Sequence, residues 1–217
     1  TEEVIFTRGT TESMNLLIQS WSEINLKSGD VVAVTRMEHH AVFVPWQQAC
    51  KKAGAILEIV ELTAEGRLDL KSLEQVLAKK PKAFTFTWMS NVLGTVNPVN
   101  EIAQLAKNAG VSLVILDAAQ GIAHARPDLS SLGPIDAMAF SSHKIFGPTG
   151  VGILWGRKEM LQSLPPYQTG GGMILFVKDR ETIFAELPQR FEAGTPNFAD
   201  VIAFGVSLEL FEKRYLS

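Results

Sequence analysis

Residues 140–156 read FSSHKIFGPTGVGILWG. An apolar run ends at Phe140, breaks into Ser141-Ser142-His143-Lys144, passes turns carrying Gly147, Pro148 and Gly150, and returns as Val151-Gly152-Ile153-Leu154-Trp155. The return follows too closely for a crossover helix, so it is expected to run antiparallel to the strand before it. Upstream the pattern differs. Short runs at 31–34, 56–60, 83–87, 112–116 and 137–140 are rich in branched and aromatic residues and mostly do not alternate, as strands covered on both faces should read. Helical stretches separate them at 11–24, 42–52, 70–79 and 99–108, with Gly54 and Gly110 where C-terminal caps belong. This alternation predicts an α/β fold, three-layer α/β/α around a mostly parallel mixed sheet. From about 164 to 197, with PPYQTGGGMI and FEAGTPN, the chain reads as irregular loops of the functional or interface kind.

The 217 residues are 46% hydrophobic and 20% charged, with a net charge of −3. That length can bury a sizeable core. Mild acidity gives no footprint for nucleic acid, and no apolar run approaches the roughly 20 residues of a spanning helix, so neither partner is expected. TEEVIF has none of the basic-then-apolar order of a secretory signal. One cysteine, Cys50, excludes an internal disulfide and fits a reducing compartment, so a cytoplasmic location is expected. Both ends read as cut, the second inside a helical pattern at ELFEKRYLS, and a longer parent is expected.

In sheets of this kind ligands sit beyond the carboxyl ends of the strands. The residues there are polar and specific: RMEHH after Val34, WMSN after Thr87, DAAQG after Leu116, SSHK after Phe140, and RGTTE after VIFT. Each has an ordinary reading. Gly9-Thr10-Thr11 could cap a helix or hold a phosphate on its N–H groups. Asp117 could cap the next segment or bring charge to a site. Asn91 could be a turn residue, and Lys144 a solvated one. His39-His40 lacks further ligands at tetrahedral spacing, so no metal is expected. Together they match the needs of pyridoxal 5′-phosphate: a lysine for a Schiff base, a carboxylate for the pyridinium nitrogen, and a helix start for the phosphate.

RGTTE, MEHHA, VPWQ, MSNVLGTVNP, DAAQG, FSSHKIFGPTGVGILWG and FEAGTPN resemble the successive signatures of class V, fold-type I pyridoxal-phosphate enzymes. More narrowly they resemble the group II (SufS/CsdA-type) cysteine desulfurases, whose relatives include selenocysteine lyase. The resemblance runs from Val4 to about Lys213, and Pro-Thr-Gly at 148–150 favours group II. It implies that Lys144 carries the cofactor and acts as proton-transfer base, that Asp117 binds the ring nitrogen, and that His39 stacks on the ring. Asn91 and Gln120 would sit near the ring hydroxyl, and Thr10, Thr11, Ser141 and His143 at the phosphate. Thr195 would reach the phosphate of the neighbouring subunit in a homodimer with shared active sites. The implied reaction takes L-cysteine (or selenocysteine) to L-alanine, passing sulfur as a persulfide to an acceptor protein of iron–sulfur cluster assembly. On this resemblance residues 1–217 are the cofactor-binding large domain. The nucleophilic cysteine and the substrate-carboxylate arginine lie beyond it, and Cys50, in a helical pattern, is not the nucleophile. Alternatives are a selenocysteine lyase or another class V lyase, or a catalytically silent cofactor-binding and dimerisation module. Val42 stands where the family often has asparagine, and Gly172 where it often has an acid.

Overall fold

A computed structural model describes residues 2–124 and 128–216. In chain order the elements are β1 (Val4–Thr7), α1 (Thr10–Asn25), β2 (Val31–Thr35), α2 (His40–Ala53), β3 (Ile56–Val60), α3 (Leu70–Leu77), β4 (Ala83–Thr87) and α4 (Val99–Asn108). Then follow β5 (Leu113–Asp117), α5 (Gly121–His124), β6 (Ala137–Ser141), β7 (Gly152–Gly156), α6 (Lys158–Ser163), β8 (Ile174–Lys178), β9 (Glu181–Phe184) and α7 (Phe198–Phe211). Seven strands form one sheet in the order β1-β7-β6-β5-β4-β2-β3. β3, β2, β4, β5 and β6 run parallel, whereas β7 is antiparallel to both β6 and β1. The expected return of the 140–156 stretch is therefore present, and the fold is the three-layer mixed α/β sheet.

The strands lack alternation because both faces are covered. On one side Val32, Val34 and Ile115 pack with Met14, Leu17, Ile18 and Trp21 of α1 and Trp46 of α2. On the other, Phe84, Phe86, Val114 and Leu116 pack with Leu73 and Val76 of α3 and Ile102, Ala103 and Ala106 of α4. Each large side chain so buried stabilises by about 1.5–3 kcal/mol relative to exposure. Trp46 is wholly buried, and its indole N–H is satisfied by the buried Thr85 hydroxyl at 2.8 Å. Gly54 caps α2 in the left-handed region at φ 70° and Gly110 follows α4 at φ 87°, as their sequence positions predict.

The stretch expected to be irregular corrects that expectation. Within 164–197 lies the hairpin β8–β9, a separate two-stranded sheet. Its Leu175, Phe176, Val177 and Ile183 are exposed, so neither face carries the buried stripe by which strands are usually recognised. Branched and aromatic residues on either side of Asp179-Arg180 were the readable signal.

Candidate active site

Four parallel strands end side by side at Thr35, Thr87, Asp117 and Ser141, and β1 ends at the same edge because its Thr7 pairs with Gly152, which in turn pairs with Ser141. Beyond these ends lies a cavity of about 240 Å³. Nine of the ten candidate positions line it. Thr10, Thr11 and Ser141 stand at one part of the wall with His143 and Lys144; His39, Asn91, Asp117 and Gln120 complete it. Thr195 does not. It lines a separate opening of about 750 Å³ together with Arg8, Glu12 and Tyr167. A larger groove between α1 and α2, about 700 Å³, touches the site only through Thr11, His39 and Ala41. Size alone would favour either of these larger openings, but the convergent polar groups lie in the smaller cavity, which is the feature that defines a site.

Asp117 ends β5 with 3% exposure. One carboxylate oxygen accepts from the Ala119 amide at 2.9 Å, and the main-chain carbonyl accepts from the Trp88 amide. Burial pushes this carboxyl up from the usual carboxylate range, while the Ala119 amide and the charges of His39 and Lys144 pull the other way. His39 precedes α2 and caps it, its Nδ1 accepting from the Ala41 amide at 3.0 Å. That bond makes Nε2 the protonated nitrogen of the neutral ring.

At the other end, α1 starts at Gly9 with no side-chain cap. Gly9 takes the N-cap position, its carbonyl accepting from the Ser13 amide, but having no side chain it satisfies none of the first amides. Instead the Thr10 amide and hydroxyl both bond the Ser141 hydroxyl, each at 2.8 Å, which ties the start of α1 to the end of β6. The Thr11 and Glu12 amides belong to the first turn, where an α-helix supplies no acceptor and negative charge is favoured.

Lys144 sits on a single 3-10 turn, Ser142–Ile145. Its ammonium has no hydrogen bond or ion pair among the described residues, and the turn beneath it is pinned. Fully buried Ser142 donates its amide to Val151, accepts from the Gly147 amide, and donates its hydroxyl to the Pro148 carbonyl. A Cβ on Gly147 would stand 2.7 Å from both the Phe204 ring and the Ser142 Cβ, so only glycine closes this loop.

Sequence reasoning missed two residues. Ser142 was read only as part of a polar break. Glu38, inside the MEHH motif, is a buried carboxyl beneath the cavity whose signal was an acid at a strand end. Cys50 faces the core from α2 with 3% exposure, and burial pushes its thiol up to about 11. No group of three or more His, Cys, Asp or Glu side chains is gathered for a metal among the described residues.

An amine on a pinned turn, a buried carboxylate and a helix start meet at the carboxyl edge of a mixed α/β sheet, where sheets of this kind hold their ligands. The chain belongs to the class V aminotransferase family, whose sequence model matches residues 1–216. It is 45% identical over 213 residues to a cysteine desulfurase of Synechococcus elongatus, covering 98% of this chain and 34% of that protein. A cysteine desulfurase of Cronobacter sakazakii is 44% identical over 209 residues, 96% of this chain and 51% of that protein. The crystal structure of the cysteine desulfurase CsdA (S-sulfonic acid) from Escherichia coli matches with a TM-score of 0.93 at 36% identity, over 99% of this chain and 53% of that one. The chain thus spans between about a third and about half the length of these relatives.

Proposed function

We propose that the whole protein is a pyridoxal-phosphate-dependent cysteine desulfurase and that this chain is its cofactor-binding large domain. One observation carries the reading: the Asp117 carboxylate, the Lys144 amine and the uncapped start of α1 face a single cavity. The residues present fit the cofactor. Lys144 would hold its aldehyde carbon and Asp117 its ring nitrogen, with His39 against the ring and Asn91 and Gln120 at the ring hydroxyl. Thr10, Thr11, Ser141 and His143, with the α1 amides, would hold the phosphate. When bound, the cofactor supplies an electron sink for charge developing on substrate carbon.

The protein's own groups do the rest. Asp117, buried among strand ends, keeps a proton at the ring nitrogen. Lys144 Nζ, unpaired on its pinned turn, carries protons to and from substrate carbon. Overall, L-cysteine and an enzyme thiol give L-alanine and an enzyme persulfide. The substrate C–S bond breaks, an S–S bond forms to the thiolate, and the carbon takes up a proton. Cys50 does not suit the thiolate role, because it is buried with its thiol pushed up to about 11. The nucleophile is therefore assigned to a part of the whole protein outside this chain, and the sulfur goes on to an acceptor of iron–sulfur assembly.

Thr195 supports a homodimer with shared sites: its opening adjoins Arg8, Glu12 and Tyr167, which also line the outer face of the α1 start. Its hydroxyl would serve the phosphate held by the partner. No described helix is long and apolar enough to cross a membrane; a cytoplasmic location completes the proposal.

The test uses the purified whole protein. Loaded with pyridoxal phosphate, reduced with borohydride and digested, it is expected to carry the cofactor mass on the peptide containing Lys144. With L-cysteine it is expected to form alanine and persulfide in equal amounts, with selenocysteine run in parallel to rank the substrates. Label on another lysine, or no alanine from either substrate, would refute the assignment.

A further inference from the structure

β2 and β4 pair only through Val32–Ala83, Ala33–Phe84 and Val34–Thr85. Beyond that point β2 turns away toward β3, where the Arg36 amide bonds the Val60 carbonyl. The Thr87 amide is left two residues past the ladder, in a buried position that water does not serve. Glu38 fills the gap. Its Oε1 accepts from the Thr87 amide at 2.9 Å and from the Thr35 hydroxyl at 2.5 Å, so one side-chain oxygen continues the pairing that the two backbones abandon.

What Glu38 holds is the seat of Asp117. Thr87 is the register partner of Asp117, and the next amide, that of Trp88, bonds the Asp117 carbonyl at 2.8 Å. Asn97 closes the other side, donating to the Thr87 carbonyl at 2.8 Å. Glu38 has 9% of its surface exposed, and its Oε2 is buried with no partner. Among the described residues no lysine, arginine or histidine pairs with it, and the charged group that acts on it is Asp117. His39, next in the chain, and Lys144 line the cavity and act on Asp117 instead.

We infer that Glu38 is a positioning residue that works as the neutral acid: Oε1 fixes the end of β4 under Asp117, and the proton on Oε2 leaves Asp117 as the sole buried negative charge beneath the cavity. A second buried negative charge acting on Asp117 is unfavourable. Burial first and Asp117 second push the Glu38 carboxyl well up, against the Thr35 and Thr87 bonds. The division of labour then follows from partners. Asp117 has charges in the cavity to answer, and Glu38 has only donors that a neutral C=O can satisfy.

The inference rests on the cofactor reading for its consequence but not for its core. Glu38→Gln keeps the Oε1 acceptor and the neutrality, so pyridoxal-phosphate affinity and the bound-cofactor spectrum are expected within about threefold of the parent. Glu38→Leu strands the Thr87 amide and should weaken cofactor binding by roughly tenfold or more. In cofactor-free protein, a difference infrared spectrum between the parent and Glu38→Gln should contain the C=O stretch of a protonated carboxylic acid. Glu38→Gln damage equal to that of Glu38→Leu would overturn the neutral-acid role, and undiminished affinity in Glu38→Leu the positioning role. If Glu38→Leu does not fold, Glu38→Gln and the infrared band still decide: their absence or loss sinks the inference. Failure of the parent to bind pyridoxal phosphate would sink the cofactor reading instead, leaving the infrared result to judge Glu38.

Discussion

Gly152 is the point at which one methyl group should dismantle the start of α1. It opens β7, pairs with Thr7 on one side and Ser141 on the other, and lies directly beneath Gly9. A Cβ there would stand 2.4 Å from the Gly9 Cα, 2.5 Å from its N and 2.6 Å from its carbonyl carbon. All three are backbone atoms, so no rotamer change relieves the clash. Ordinary contact begins at 3.4 Å, and the Gly9 backbone must lift by about 1.0 Å, the difference between 3.4 and 2.4 Å. Carried to the next residue, that lift stretches the 2.8 Å bond from the Thr10 amide to the Ser141 hydroxyl beyond hydrogen-bonding range. Overpacking of this kind costs about 1–3 kcal/mol, and the lost buried bond about another 1 kcal/mol. Gly152→Ala should therefore cost about 2–4 kcal/mol, or about 4–16 °C in Tm for a domain of this size. Urea unfolding gives the stability, and titration with inorganic phosphate and with pyridoxal phosphate reports the anion site. Gly205→Ala serves as the control, because its Cβ meets nothing within 4 Å inside α7, and it should gain up to about 1 kcal/mol from helix propensity. Stability within about 0.5 kcal/mol of the parent and unchanged phosphate affinity in Gly152→Ala would refute the reasoning.

Lys144→Ala should abolish borohydride fixation of the cofactor, while circular dichroism and Tm stay near the parent because the lysine is exposed and unpaired; persistence of a covalent adduct would count against it. Thr85→Val keeps the shape but leaves the buried Trp46 N–H without an acceptor, costing about 1–3 kcal/mol in denaturant unfolding. Cys50, with 3% exposure and its thiol pushed up to about 11, should resist iodoacetamide at pH 8 in folded protein, react fully in urea, and be replaceable by alanine without loss of persulfide formation. Glu38 binds its proton more tightly folded than unfolded, so its contribution is full below the unfolded pKa, near 4.3, and is lost as pH rises toward the folded value. Glu38→Gln should consequently match the parent near pH 4 and become relatively more stable as pH climbs; a constant Tm difference from pH 4 to 8 would exclude a raised carboxyl.

The sheet was readable because both of its faces are buried, which makes β2, β5 and β6 apolar up to their last residue. The hairpin β8–β9 escaped for the opposite reason: with Leu175, Phe176 and Val177 exposed, burial left no periodic mark on it. The cavity wall was readable for a third reason. Asp117, Ser141, His143 and Lys144 each follow an apolar run directly, so strand ends alone bring them to one edge. Glu38 and Ser142 could not be found that way. Glu38 serves the Thr87 amide that the β2–β4 ladder leaves over, a property of register between strands far apart in sequence, and Ser142 closes its own loop on the Pro148 carbonyl; neither shows in an apolar pattern. The same distinction separates the two kinds of residue chemically. Of those that present groups to the cavity, Thr11, His39, Asn91, Gln120, His143 and Lys144 are exposed or half-buried and could be exchanged without unfolding the sheet. Those beneath it, Glu38 and Ser142, are buried polar groups bonded to main chain and, for Glu38, also to the Thr35 hydroxyl, and removing them strands a donor or acceptor away from water. A site of this design fails in two distinguishable ways: loss of Lys144 removes chemistry from an intact fold, while loss of Glu38 or Ser142 disturbs the seat first and the chemistry as a consequence.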